Sequence, residues 1–251
     1  MHRFYVETPI DAAGRRVTLS REESAHAARV LRLRAGEEVC LLDGCGLWNA
    51  TLETVDEKET VAVTGECCPT PESSCHAMLL QGLPKADKLE LIAQKGTELG
   101  MWELWPVEME RSVAKADKAD RAEKKRERLN RIALEAAKQS GRAHVPQIRP
   151  VTSFQAAIAQ LEKDPPALLL VAWEEEHALP MSRAVKRHVQ ACGMPQSVVI
   201  VIGPEGGISQ AEWQRLQQAG AVSVTLGRRI LRTETAGLCA LSVLWAALGE
   251  M

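Results

Sequence analysis

The residues whose types and spacing could do chemistry gather in two short loops. Gly203-Pro204-Glu205-Gly206-Gly207 follows directly on the apolar run Ser197–Ile202. Glycines allow a tight turn and close backbone approach to a ligand, Pro204 stiffens the turn, and Glu205 adds a carboxylate. A loop at the carboxyl end of a central strand is where open α/β sheets bind ligands. The plain alternative is an ordinary strand-to-helix turn. The second loop, residues 226–237, sets a glycine turn before Arg228, Arg229 and Arg232. Thr233-Glu234-Thr235 then opens the apolar segment Thr233–Leu248. Charges at the mouth of a buried helix are costly unless paired, so Arg232 and Glu234 either pair with each other or face a charged ligand.

Two basic regions accompany these loops. Leu83-Pro84-Lys85-Ala86-Asp87-Lys88 leads into Lys95-Gly96-Thr97-Glu98-Leu99-Gly100, and the spacing of Lys88 and Lys95 puts them on one helix face. Residues 111–142 hold eleven basic and five acidic residues, a net of +6. Such a stretch is either a solvated helix surface or a phosphate-facing one. Other patterns fail. Gly44-Cys45-Gly46 lacks the third glycine of a dinucleotide fingerprint, and no Walker-type loop occurs. The spacing of Cys67, Cys68, Cys75 and His76 fits no usual zinc pattern, so no metal is expected. His26 and His144 stand alone.

The elements that must position these residues follow from pattern. The 251 residues are 45% apolar and 25% charged, which excludes disordered, collagen-like and coiled-coil chains. Short strands are predicted at residues 15–19, 38–42, 47–52 and 60–64, with Asp43-Gly44 as a turn. Between the first two, Ser20 to Glu23 reads as a capping box for a helix reaching residue 33. Two prolines and two serines in residues 69–74 mark a linker. Beyond it strands and helices alternate. Strands are predicted at 77–81, 103–107, 167–172 and 197–202, and helices at 85–99, 116–140, 209–219 and 233–248. Continuous apolar strands are buried on both faces, so this part reads as α/β with a largely parallel sheet. The final helix is apolar all round and is expected to be covered on every side.

Net charge is −2, which by itself gives no sign of nucleic acid but hides the basic stretch. No apolar run reaches the roughly 18 residues of a membrane span, and charges occupy the N-terminal positions where a signal peptide needs its apolar stretch. Seven cysteines, an odd number, suit a reducing compartment. The expected location is the cytoplasm.

Taken in order, several blocks resemble one family. They are the opening Met1-His-Arg-Phe-Tyr-Val6, His26-Ala-Ala-Arg-Val-Leu-Arg-Leu33, Lys95 to Gly100, Gln139-Ser-Gly-Arg142, Gly203 to Gly207, and Leu226 to Ala236. The sequence is similar, over nearly its whole length, to the 16S ribosomal RNA uracil-N3 methyltransferases of the knotted, SPOUT type. Ile208 departs from the aromatic expected after the glycines.

The resemblance implies a PUA-like β-barrel over residues 1–70 that holds RNA. It also implies a methyltransferase domain over 74–251 with a deep trefoil knot. The knot would form the S-adenosylmethionine pocket, with Leu170, Gly203, Pro204, Glu205, Gly206, Gly207, Leu226, Gly227, Ile230, Leu231, Arg232, Thr235 and Ala236 around the cofactor. Arg232 or Arg142 would steady a uracil anion, and Glu205 and Glu234 would act as base or orient Arg232. RNA phosphates would meet Arg29, Arg32, Arg34, Lys85, Lys88, Lys95, Arg111 and Arg142. The partner would be 16S rRNA within the small ribosomal subunit, and the protein a homodimer joined through the knot region. Two rivals stay open: a related enzyme acting on a ribose hydroxyl or another base, and a non-catalytic RNA-binding protein.

Overall fold

The computed structural model describes residues 1–85, 87–116 and 119–251. Ala86 of the Lys88 motif and Asp117 and Lys118 of the basic stretch lie outside them. By contacts the chain forms two compact units, residues 1–72 with 134–145 and residues 73–133 with 146–251. Residues 134–145, which the sequence reading groups with the second domain, cluster with the first.

The first unit is a five-stranded sheet in the order β1-β3-β4-β5-β2. Its strands are β1 (His2–Tyr5), β2 (Arg16–Thr18), β3 (Glu38–Leu42), β4 (Leu47–Thr54) and β5 (Val61–Cys68). β1 joins β3 in parallel and the other pairs are antiparallel. Phe4, Leu41, Leu52 and Ala62 are essentially unexposed at its core. Asp43 shapes the β3–β4 turn, accepting hydrogen bonds from the Cys45 and Gly46 amides, the Ile10 amide and the Trp48 indole.

The helix after β2 is short: α1 (Arg21–Ala25) continues as a π-helical turn, His26–Val30. Ser20 caps α1 by accepting from the Glu23 amide, but Glu23 does not close the box. Its carboxylate instead takes the Tyr5 amide and Lys138 Nζ, the latter at 2.8 Å. Lys138 belongs to the last turn of the long helix α3 (Ala119–Ser140). Gly141 ends that helix at φ 78°, as its glycine predicts.

The second unit is a seven-stranded sheet, β12-β10-β11-β6-β7-β8 with β9 also on β7, and every pair is parallel. Its strands are β6 (His76–Gly82), β7 (Glu103–Glu108), β8 (Gln147–Ile148), β9 (Thr152–Ser153), β10 (Leu168–Ala172), β11 (Ser197–Ile202) and β12 (Val222–Val224). Five helices join α3 here: α2 (Lys88–Glu98), α4 (Phe154–Lys163), α5 (Met181–Cys192), α6 (Gln210–Gln218) and α7 (Thr233–Leu248). α4 and α6 cover one face, burying Phe154, Ile158, Trp213 and Leu216 against Leu80, Val171 and Val201. α7 lies on the other, against α2, α5, β6 and β11. Burial on both faces is why β10 and β11 read as unbroken apolar runs.

The architecture is the expected α/β class with a parallel sheet, preceded by a small β unit. Within this chain α7 is not covered all round. Gly237, Ala240, Leu241, Leu244 and Trp245 are buried, whereas Leu238, Val243 and Leu248 are half-exposed and Ala246 is exposed. Among the described residues no helix is long and apolar enough to cross a membrane, and no cluster of His, Cys, Asp and Glu could hold a metal.

Candidate active site

The loops leaving the carboxyl ends of β10, β11 and β12 enclose a cleft of about 610 Å³, lined by residues 172–174, 176–177, 202–207, 224–233 and 236 with Lys88. Small-molecule pockets have this size, and this edge of a parallel sheet is where they form.

The glycine loop is fixed at both ends. At its start the Thr233 hydroxyl donates to the Gly203 carbonyl at 2.7 Å and accepts from Gln81 Nε2 at 2.8 Å. Gln81 is wholly buried. At its end Ser209 and Glu212 form a reciprocal capping box on α6. Glu212 also accepts from the Glu110 amide at 2.8 Å, joining α6 to the turn after β7.

Two glycines are dictated by geometry. A Cβ on Gly82 would lie 2.5 Å from Pro204 N, so the end of β6 admits nothing larger beneath the loop. Gly207 sits at φ 74°, and a Cβ there would lie 1.8 Å from Glu174 Oε1, where the β10 and β11 loops meet.

Charge is unevenly distributed around the cleft. Lys88 Nζ lies 2.9 Å from Glu205 Oε1 and 3.2 Å from Glu234 Oε2. The second contact is an ion pair off hydrogen-bonding alignment, and Glu234 Oε2 has no hydrogen-bond partner among the described residues. Burial pushes the Glu205 carboxyl up, but hydrogen bonds from Lys88 and the Lys85 amide outweigh it and hold it below the usual range. The Glu205 hydrogen bond, reinforced by Glu234, raises Lys88. Arg228, Arg229 and Arg232 are exposed and form no ion pair among the described residues. The Arg232–Glu234 pair is thus not formed, and Glu234 faces Lys88. Ile230, between these arginines, is 94% exposed. Also in the lining, Trp173 stacks on Trp213 at 4.9 Å, and its buried indole N–H has no partner among the described residues.

Of the residues expected around a cofactor, Gly203, Pro204, Glu205, Gly206, Gly207, Leu226, Gly227, Ile230, Leu231, Arg232 and Ala236 line the cleft. Leu170 is buried in the middle of β10, two residues short of the lining, and Thr235 is exposed on α7 outside it. Glu234 stands behind Lys88 and does not line the cleft. Arg142 belongs to the first unit, buried with its guanidinium 2.7 Å from Glu72, and is not in the lining.

The expected RNA contacts are mixed. Arg29 pairs with Glu57 and Lys95 with Glu98. Lys85 and Arg34 are exposed, and Arg32 is exposed at φ 55°. The Arg111 guanidinium donates to the Gly206 carbonyl at 3.3 Å. In the basic stretch Lys115, Arg126, Arg128 and Lys138 all pair with carboxylates. Sequence reasoning missed Gln81, Gly82 and the 173–177 loop. The apolar end of β10 was the available signal for that loop, since ligands gather beyond carboxyl ends of strands.

The fold is that of an RNA methyltransferase: the model of the RNA methyltransferase domain matches residues 71–245, and that of the RNA methyltransferase PUA domain residues 19–64. The chain belongs to this family. It is similar to Ribosomal RNA small subunit methyltransferase E of Bacillus subtilis, 37% identical over 97% of this chain and 96% of that protein. It is likewise 34% identical to the protein of that name from Mycobacterium bovis, over 95% of this chain and 88% of the relative. Among solved structures, a Ribosomal RNA small subunit methyltransferase E from Neisseria gonorrhoeae bound to S-adenosyl methionine superposes with a TM-score of 0.83. That match has 30% identity and covers 98% of this chain and 97% of the other.

Proposed function

We propose that the protein transfers a methyl group from S-adenosylmethionine to N3 of a uridine in 16S rRNA of the small ribosomal subunit. The observation that carries this reading is the cleft itself, built from glycine and arginine loops at adjacent strand ends in a chain of the RNA methyltransferase family. The residues present fit the cofactor. The volume is adequate, Gly207 lets the loops after β10 and β11 close on each other where a Cβ would collide, and among the described residues the Trp173 N–H is a donor without a partner in the lining. Backbone groups of Leu226, Gly227, Ile230 and Leu231 would hold the adenosine part, and residues 203–207 the methionine end. The bound cofactor supplies an electrophilic methyl group on a sulfonium.

The chain's own residues supply charge and alignment. Uracil N3 must lose its proton to become a nucleophile. Arg232, exposed in the lining and without an ion pair among the described residues, suits the oxyanion that then develops at O2 or O4. Glu205, held ionised by Lys88, is a weak proton acceptor near neutrality and fits the positioning role better than that of base. Exposed basic groups, among them Arg32, Arg34 and Lys85, would meet phosphate, giving an affinity that falls steeply with salt. The half-exposed apolar face of α7 suits a second copy of the chain, and the trefoil knot belongs to the same reading.

The test is mass spectrometry of 16S rRNA nucleosides from a deletion strain and from the strain complemented with this chain. Loss and return of 3-methyluridine is the expected result. Loss of a ribose methyl or of another methylated base would replace the reading with a related enzyme. An unchanged profile with no cofactor binding by calorimetry would leave an RNA-binding protein.

A further inference from the structure

Lys88 departs from its sequence reading in a way that bears on the cleft. A phosphate-contacting lysine extends into solvent, whereas this side chain folds back between two carboxylates and is 27% exposed. The three charged groups come from three separate elements: Lys88 from the head of α2, Glu205 from the loop after β11, and Glu234 from the first turn of α7. The Lys85 amide adds a hydrogen bond to the same Glu205 oxygen at 3.0 Å. Glu234 is more enclosed, with 14% of its side chain exposed, and among the described residues Lys88 is the cation that faces it. Glu205 and Glu234 are the charged groups acting on Lys88, and Lys88 is the one acting on Glu205.

This arrangement ties the cleft together. The glycine loop and the head of α7 form two of its walls, and each sends one carboxylate to the same ammonium. Without that ammonium the two carboxylates would repel each other across the seam, and the enclosed one would lose its counter-charge.

We propose that Lys88 is a positioning residue rather than an RNA contact: its ammonium clamps Glu205 to Glu234 and so holds the glycine loop and the head of α7 at the spacing the cofactor cleft requires. The proposal rests on the cofactor reading above. It also removes Glu205 from the candidates for the proton acceptor, because a carboxylate engaged by an ammonium is occupied.

The test compares K88M, K88R and the K88M/E234Q double variant with the wild-type chain. In thermal melting, K88M is expected to melt below wild type by an amount that grows as pH rises through the carboxylate range, from about pH 3 to about pH 6, because an uncompensated carboxylate destabilises only when ionised. K88R is expected to stay near wild type at every pH. K88M/E234Q is expected to melt above K88M at the upper pH. S-adenosylmethionine affinity by calorimetry should fall about tenfold or more in K88M at that pH, with the salt slope of RNA binding unchanged. The proposal is overturned if K88M melts with wild type throughout while its salt slope falls by about one, the signature of a lost phosphate contact. It is equally overturned if E234Q restores nothing. A wild-type chain that binds no S-adenosylmethionine would defeat the cofactor reading, while the melting profiles would still decide whether the clamp exists.

Discussion

Replacing Thr233 by valine asks whether the glycine loop hangs from the last helix. Valine keeps the branched shape and removes the hydroxyl, which donates to the Gly203 carbonyl at 2.7 Å and accepts from Gln81 Nε2 at 2.8 Å. Thr233 is 6% exposed and Gln81 is wholly buried, so water cannot replace the Gln81 bond, and it reaches the half-buried Gly203 carbonyl only from the cleft. A buried polar group left without its partner costs about 1–3 kcal/mol. Gln81 Nε2 keeps a second bond to the Gly82 carbonyl at 3.0 Å, which places its share at the low end. The sum is about 2–4 kcal/mol for the two groups. At roughly 2–4 °C per kcal/mol for a unit of this size, the melting temperature should fall by about 5–15 °C. Urea denaturation gives the free energy directly, with Thr233→Ser as the control that restores the hydroxyl. If part of the loss is loop order, every 1.4 kcal/mol of it weakens cofactor affinity about tenfold. A T233V chain within about 0.5 kcal/mol of wild type would refute the link, as would a serine variant as damaged as the valine one.

Other outcomes follow from the same geometry. Arg232→Ala should lower kcat about 10²–10³-fold with the KM for the cofactor moved far less, measured by steady-state methyl transfer; a loss of only a few-fold would remove Arg232 from the chemistry. Gly82→Ala must push a Cβ against Pro204 and should cost about 1–3 kcal/mol in a denaturant titration, and an unchanged midpoint would show that β6 yields freely. Asp43 gives a pH dependence. Burial raises its carboxyl, but the Ile10, Cys45 and Gly46 amides and the Trp48 indole outweigh it and hold it below the usual range. Its folded pKa being the lower one, its stabilisation is complete above the unfolded value of about 3.9 and is lost as pH falls through the folded value. Asp43→Asn should therefore weaken the first unit at neutral pH and flatten its acid limb, followed by Trp48 fluorescence; an unaltered acid limb would count against it.

Much of the α/β framework was legible because it is written locally. β11 matches its apolar run residue for residue, α7 its apolar segment, and Ser209 with Glu212 forms the capping box their spacing predicts. The glycine and arginine loops were legible for the same reason, and the cleft gathers most of their residues. What was not legible depends on contacts distant in sequence. Nothing near Lys88 announces that its partner is Glu205, 117 residues on. Residues 134–140 continue a helix without interruption in pattern, yet with 141–145 they cluster with the first unit, where Lys138 reaches Glu23 and Arg142 reaches Glu72. Gln81 is a polar residue in an otherwise apolar strand, and its meaning emerges only with Thr233 beside it. The basic stretch promised a field of free cations, but carboxylates neutralise several of them one by one.

The twofold use of Glu212 has a kinetic consequence. One oxygen closes the amino end of α6 and the other holds the Glu110 amide, so the far end of the glycine loop cannot swing with its helix. Thr233 fixes the near end at Gly203. Between these anchors the segment 204–207 is held through single contacts, Lys88 and the Lys85 amide at Glu205 and Arg111 at the Gly206 carbonyl. Any displacement of so short a segment between fixed ends belongs to the nanosecond-to-microsecond class of loop motions, not to the slower rearrangements of whole helices.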